Sequence, residues 1–265
     1  MCTLLLAHRA DPEYPLVIAA NRDELYERPT LRAAFWDDAS DVLGGRDGVA
    51  GGTWLGVHRD GRWAALTNVR EPDRHDPRAP SRGALVRDFL TAPGARAPSP
   101  ADYLAAVAPR AHAYNGFNLV VGRAGDELWY LSNRDDRSPR PVAPGVHGVS
   151  NAVLNTPWPK VRSGREELTR ALAGPRPLEP EHLLTLLHDR RRAADDDLPR
   201  TGVPLAIERE LSALFIATPR YGTRCSTVVL VDRRGRARFV ERATDPTTPP
   251  HAADVRREFT LARPS

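Results

Sequence analysis

Cysteine is nearly missing from this chain. Cys2 and Cys225 are the only two among 265 residues, too few for a disulfide framework, and no Cys/His spacing matches a zinc site. Lysine is scarcer still: Lys160 stands alone, so the 38 basic residues are otherwise arginine, set against 34 acidic ones. The net charge of +4 is small, and the arginines alternate with Asp and Glu instead of forming a basic block, which argues against a nucleic-acid partner. No apolar run approaches membrane-spanning length. The opening stretch "MCTLLLAHRADPEYPLVIAANRDE" lacks a basic n-region, and charges interrupt its short apolar run, so it does not read as a signal peptide. A cytoplasmic protein with free thiols is the expectation.

What is present reads as globular. Hydrophobic residues make up 41% and charged residues 27%, and the length is enough for one sizeable core. Apolar runs predict strands at "CTLLLAH", "PLVIAAN", "TWLGV", "WAALTNV", "FNLVVG", "ELWYLS", "VHGVSN", "LFIAT", "STVVLVD" and "ARFVER". In the first, Leu4 and Leu6 share the face of Cys2 while Thr3, Leu5 and Ala7 share the other, the pattern of a strand covered on both sides. The turns around "GRAGD" and Gly235 predict hairpins, hence largely antiparallel sheets. Helices are expected after Ser81 and after Ser99–Pro100, each capped by its serine, and again around Val161–Leu172 and Leu183–Leu187. Many strands and few helices predict an α+β layered domain, one domain over 1–265. The charged, proline-rich stretches at about 70–80 and 190–204 predict surface loops or lids.

Cys2 raises the chemical question. Met1 is expected to be removed before so small a residue, leaving a thiol and a free α-amine on one residue. An α-amine titrating near ~7.7–8.0 can accept the proton of a thiol whose own value is near ~8.5, giving a nucleophile that carries its base. The alternative is a small hydrophobe in a core strand. Asn21, Arg22, Asp23 and Glu24 end the second strand: a carboxylate there would hold the α-ammonium, and Arg22 would stabilise a thiolate or bind an acidic group. The glycine-rich run around Arg46, Thr53 and Trp54 lacks a phosphate-loop pattern and predicts tight turns at a pocket rim. Asn68, Asn151 and Arg224 also end apolar strands, and an amide facing a reacting carbonyl is an oxyanion donor.

Taken in order, "MC", "ANRDE", "GGRD…GGTWLG", "TNVR", "SNA…TPWPK" and "YGTRCSTVVLVD" resemble the NRDE family, also called the transport-and-Golgi-organisation type, over nearly the whole chain. That family is similar to the N-terminal-nucleophile hydrolases, which implies a four-layer α/β/β/α sandwich. The cysteine amidases of that group, such as choloylglycine hydrolases and penicillin acylases, imply roles by motif. Cys2 becomes the nucleophile, Asp23 the partner of its amine, Asn68 and Asn151 the oxyanion donors, and Arg224 the support of the thiolate. Asn21, Arg22, Glu24, Arg46 and Trp54 would line the substrate site. The amidases carry an arginine directly before Asn-x-Asp, where this chain has Ala20. Two functions stay open. One is an N-terminal-cysteine hydrolase or acyltransferase acting on an amide or thioester through acyl-Cys2, with no metal and no required cofactor. The other, implied by the family's biology, is a non-catalytic carrier of haem or an acyl-lipid in the same pocket, with Cys2 or a histidine such as His8 as axial ligand. Oligomeric state is open.

Overall fold

The computed structural model describes residues 2–93, 97–136, 138–244 and 254–262. Among them the strands are β1 (Cys2–His8), β2 (Leu16–Leu25), β3 (Thr30–Trp36), β4 (Ala39–Asp47), β5 (Leu55–His58), β6 (Arg62–Asn68), β7 (Phe117–Arg123), β8 (Leu128–Ser132), β9 (Arg140–Pro141), β10 (Gly145–Val149), β11 (Tyr221–Val231), β12 (Arg236–Ala243) and β13 (Val255–Thr260). The helices are α1 (Gly83–Leu90), α2 (Pro100–Val107), α3 (Pro159–Leu172), α4 (Pro180–Leu187) and α5 (Leu205–Leu211).

The strands form two sheets, antiparallel throughout. One runs β10-β1-β2-β11-β12-β13, the other β3-β4-β5-β6-β7-β8-β9. The period-2 reading of β1 explains the layering. Leu4 and Leu6, with Leu16 and Ile18 of β2, face Leu43, Val57, Ala65 and Val120 of the other sheet in a shared central core. Leu5 and Ala7, with Val17 and Ala19, turn the opposite way onto Leu168 and Leu172 of α3 and Leu183, Leu184 and Leu187 of α4. The second sheet is covered likewise: Ala64, Leu66, Leu119 and Val121 pack against Leu85, Val86 and Phe89 of α1 and Leu104 and Val107 of α2. The order of layers is therefore α/β/β/α, the expected α+β sandwich.

Of the two helices expected to be capped by a serine, α2 is and α1 is not. The Ser99 side chain accepts from the Asp102 backbone N–H, and Pro100 takes the first helical position of α2. Ser81 does not cap α1: that place falls to Arg82, without a side-chain bond, and Ser81 offers only its carbonyl to the Ala84 N–H. α3 lies close on β1, because a Cβ at Gly164 would fall 2.7 Å from Leu5 Cδ1.

Candidate functional site

β1 and β2 run antiparallel with Cys2 directly opposite Arg22. Alternation then divides the neighbouring side chains. Cys2, Ala20 and Arg22 point between the sheets, whereas Thr3, Asn21 and Asp23 point toward the helices. Cys2 lies partly open in the wall of a cleft of about 360 Å³. Arg22, Asp23, Glu24, Thr53, Trp54 and Asn68 also line this cleft, and the far wall is the proline-rich stretch from His75 to Arg82. The loop expected at 70–80 thus has a place at the site.

Arg22 is pinned. It donates to Thr30 Oγ1 at 2.9 Å and to Asp47 Oδ2 at 3.3 Å, and its guanidinium lies 4.3 Å over the Trp54 ring. Asp47 loses water by burial, which raises its value, but the hydrogen bonds from Arg28 and from the Ala50 and Val49 N–H groups, with the Arg28 charge, together outweigh that and hold its carboxyl below the usual range. Glu24 and Arg28 complete this charged rim, 3.9 Å apart. Around Cys2, burial and then the Asp23 charge push the thiol up from its ordinary value; Arg22 and a hydrogen bond from the Asp23 backbone N–H pull the other way. The Ser150 hydroxyl donates to the Cys2 carbonyl at 3.1 Å.

Asp23 lies on the helix side, 1% exposed, with Thr223 Oγ1 donating to its Oδ1 at 2.8 Å. Burial raises its carboxyl, and the Lys160 charge opposes that shift. Lys160, at the start of α3, is 3% exposed, and burial pulls its ammonium down to about 8. Arg70 and Glu208 form a buried ion pair at 2.6 Å, with the Arg70 guanidinium 5.0 Å over Trp158. Sequence alone gives no role to Lys160, Arg70, Glu208, Tyr221, Thr223 or Arg82. Arg70, Lys160, Tyr221 and Thr223 nevertheless lie within the motifs "TNVR", "TPWPK" and "YGTRC", and that is the signal that could have found them.

The remaining expected residues separate. Asn68 reaches the cleft with a side-chain amide that makes no hydrogen bond to a described residue. Asn151, 1% exposed, sits behind it, donating from Nδ2 to the Asn68 carbonyl at 2.9 Å and accepting from Arg70 Nη2, with its Oδ1 an alternative acceptor for the Ser150 hydroxyl at 3.2 Å. Asn21 turns away from the cleft and donates to Leu187 O and Leu214 O, both at 2.9 Å. Arg46 leaves the site too, paired with Asp38 at 2.7 Å and stacked on Trp36. Arg224 occupies a register break in β11 and donates to Leu25 O and Arg28 O, both at 2.8 Å, so it braces the turn after β2. Ala20 shares the inter-sheet face of Arg22, so an arginine at 20 would stand two residues further along the same face. His8 lies at the other end of β1 from Cys2, buried, and cannot serve the same ligand as the cleft. Among the described residues no group of three or more His, Cys, Asp or Glu is placed to hold a metal ion. No helix among them is long and apolar enough to cross a membrane.

Residues 1–246 match the family model described as "Transport and Golgi organisation 2". The Transport and Golgi organization protein 2 homolog of Bos taurus is 39% identical over 251 residues, covering 88% of this chain and 89% of its own length. The Homo sapiens homolog is 36% identical over 262 residues, covering 94% of this chain and 93% of its own. These matches correct the NRDE label reached from the motifs, and they lend no support to the haem and acyl-lipid roles or the cytoplasmic placement that accompanied it. Among solved structures, a C2A mutant of conjugated bile acid hydrolase from Clostridium perfringens superposes with a TM-score of 0.50 at 8% identity, covering 99% of this chain and 98% of that one. The likeness is one of fold, that of the N-terminal-nucleophile hydrolases.

Proposed function

This chain belongs to the Transport and Golgi organisation 2 family, and from that premise and the cleft around Cys2 we propose an N-terminal-cysteine acyl-transfer enzyme, a hydrolase of amide or thioester bonds. The observation that carries this reading is the position of Cys2. The residue behind the initiator stands at the head of a sheet strand, opposite Arg22 and in the wall of a cleft that Asn68 also lines.

The chemistry follows from those groups. With Met1 removed, the α-amine of Cys2 takes the thiol proton, and the thiolate attacks the substrate carbonyl carbon. The Asn68 amide donates to the oxyanion that forms, worth ~3 kcal/mol or more when well aimed. Collapse breaks the C–N or C–S bond, the leaving group takes the proton from the ammonium, and acyl-Cys2 remains. Water attacks that ester of the thiol, gives its proton to the amine, and the acid leaves with the enzyme restored. Asn151 holds the Asn68 strand end through its carbonyl and acts by positioning.

The test has two readings. Intact mass of the purified protein is expected to lack the Met1 increment, and a panel of amides and thioesters is expected to reveal turnover that Cys2→Ala and Cys2→Ser each reduce by roughly a thousandfold or more. Full turnover in both variants, or complete retention of Met1, overturns the reading.

A further inference from the structure

The only lysine of the chain takes no part in the acyl-transfer steps, yet it occupies an expensive place. Lys160 is in the first turn of α3, where the helix dipole disfavours a cation, and it is 3% exposed. Its Nζ has no hydrogen-bond partner among the described residues. A buried ammonium without hydrogen bonds costs stability unless a charge compensates it. Every other basic side chain here is arginine, which keeps its proton in any protein environment; lysine alone combines a slender stem with a charge that burial can tune.

The charged groups whose fields act on Lys160 are Asp23 of β2, Arg70 after β6, Cys2 of β1 and Glu208 of α5. Glu208 is engaged by Arg70 at 2.6 Å and by the Thr201 N–H at 3.0 Å. Asp23 is the carboxylate whose charge most favours the Lys160 ammonium, without an ion pair between them, and alternation along β2 turns it to the same side of the sheet as α3. Tyr221 of β11 adds a buried hydroxyl to the same cluster.

We propose that Lys160 is a positioning residue of the Cys2 site, whose ammonium, buried on the same helix side of the sheet as Asp23, biases the N-terminal cysteine toward a neutral amine and a thiolate. The inference rests on Cys2 being the nucleophile. Once Cys2 is the first residue, its α-ammonium and Lys160 share one carboxylate. Two cations on one anion repel, so the α-ammonium releases its proton more readily, and the same positive field favours the thiolate. The amine is then free to act as base at neutral pH, which a singly paired ammonium–carboxylate couple would prevent.

Iodoacetamide alkylation of Cys2, followed against pH by peptide mass, tests this without knowledge of the substrate and resolves Cys2 from the buried Cys225. In Met1-processed protein, Lys160→Met is expected to move the midpoint of the alkylation profile up by about one pH unit and to slow alkylation at pH 7 roughly tenfold. Lys160→Arg, which keeps the charge, is expected to restore the wild-type midpoint. A Lys160→Met profile superimposed on the wild type, or an Arg variant shifted as far as the Met variant, overturns the proposal. Should Lys160→Met fail to fold, Lys160→Gln carries the same comparison. The two claims fail separately: a midpoint that moves while Cys2→Ala keeps full turnover sinks the acyl-transfer reading and leaves the electrostatic coupling intact. Turnover that depends on Cys2, with no movement of the midpoint, does the reverse.

Discussion

Asn21 and Asp23 share one face of β2, two residues apart, yet they do different work. Asn21 sends both hydrogens of its amide to the carbonyls of Leu187 and Leu214 and accepts from Ser226 Oγ at 2.7 Å, so it ties the helix layer to the sheet. Asn21→Leu leaves two buried carbonyls and a hydroxyl unpaired. A loss of about 3 kcal/mol in urea unfolding is expected, within the usual range for such groups. The Cys2 alkylation midpoint should stay where it is, because no Asn21 atom lies in the cleft. A midpoint that moves with Asn21→Leu would place Asn21 in the site after all. Sequence could identify the polar cluster at the end of β2 but not its division of labour, since alternation says which residues share a face and not which face meets the ligand. Arg224 makes the same point: its bulge cannot be read from spacing, and it carries the side chain to Leu25 O and Arg28 O.

At the scale of elements, the cleft depends on how α1 meets the loop after β4. Gly52 makes this contact possible, because a Cβ there would lie 2.5 Å from the Gly83 carbonyl carbon and 2.7 Å from its oxygen. Both are backbone atoms, so the helix start itself would have to move, taking Arg82 and Ser81 of the cleft wall with it. Gly52→Ala is expected to lower stability by about 1–3 kcal/mol, the usual cost of overpacking, and to change the rate of Cys2 alkylation in the folded protein. Denaturant unfolding and alkylation on one preparation check both. The glycine-rich run was legible as tight turns at a pocket rim, but two of its glycines, Gly44 and Gly45, lie within β4 itself. β3 shows no clear alternation in the sequence because it is an edge strand with breaks of register at Leu31/Ala34 and Phe35/Trp36. β13 reads as a charged stretch for a related reason, since edge strands carry charge outward. The apolar "LFIAT" shows the converse. Leu214, Phe215 and Ile216 are buried, but Ala217 makes only an isolated bridge to Gly222, for an apolar pattern reports burial and not a hydrogen-bonded neighbour.

Across the whole molecule, the four layers put charged groups in two kinds of surroundings: arginine–carboxylate pairs at the surface, worth little each, and a few titratable groups inside. His8, at the end of β1, belongs to the second kind and gives the fold a pH dependence of definite sign. Burial lowers its imidazole from 6.5 to about 4, with the Arg9 and His147 charges adding to the effect. The folded state thus holds the neutral ring, while the unfolded chain takes up a proton as pH falls below 6.5. Stability from this source is complete above that value, declines as pH falls toward about 4, and changes no further below it. The full shift would amount to about 3 kcal/mol, and about half of that is expected once partial solvation of the ring is allowed for. Carboxylates titrate in the same window, so the measurement is a difference: urea unfolding of wild type and His8→Gln at pH 7.5, 5.5 and 4.5. The gap between the two proteins should shrink as the pH falls, because the variant has no imidazole to protonate. A gap that is constant across the three pH values would mean that the folded protein accepts the proton on His8 as readily as the unfolded chain does.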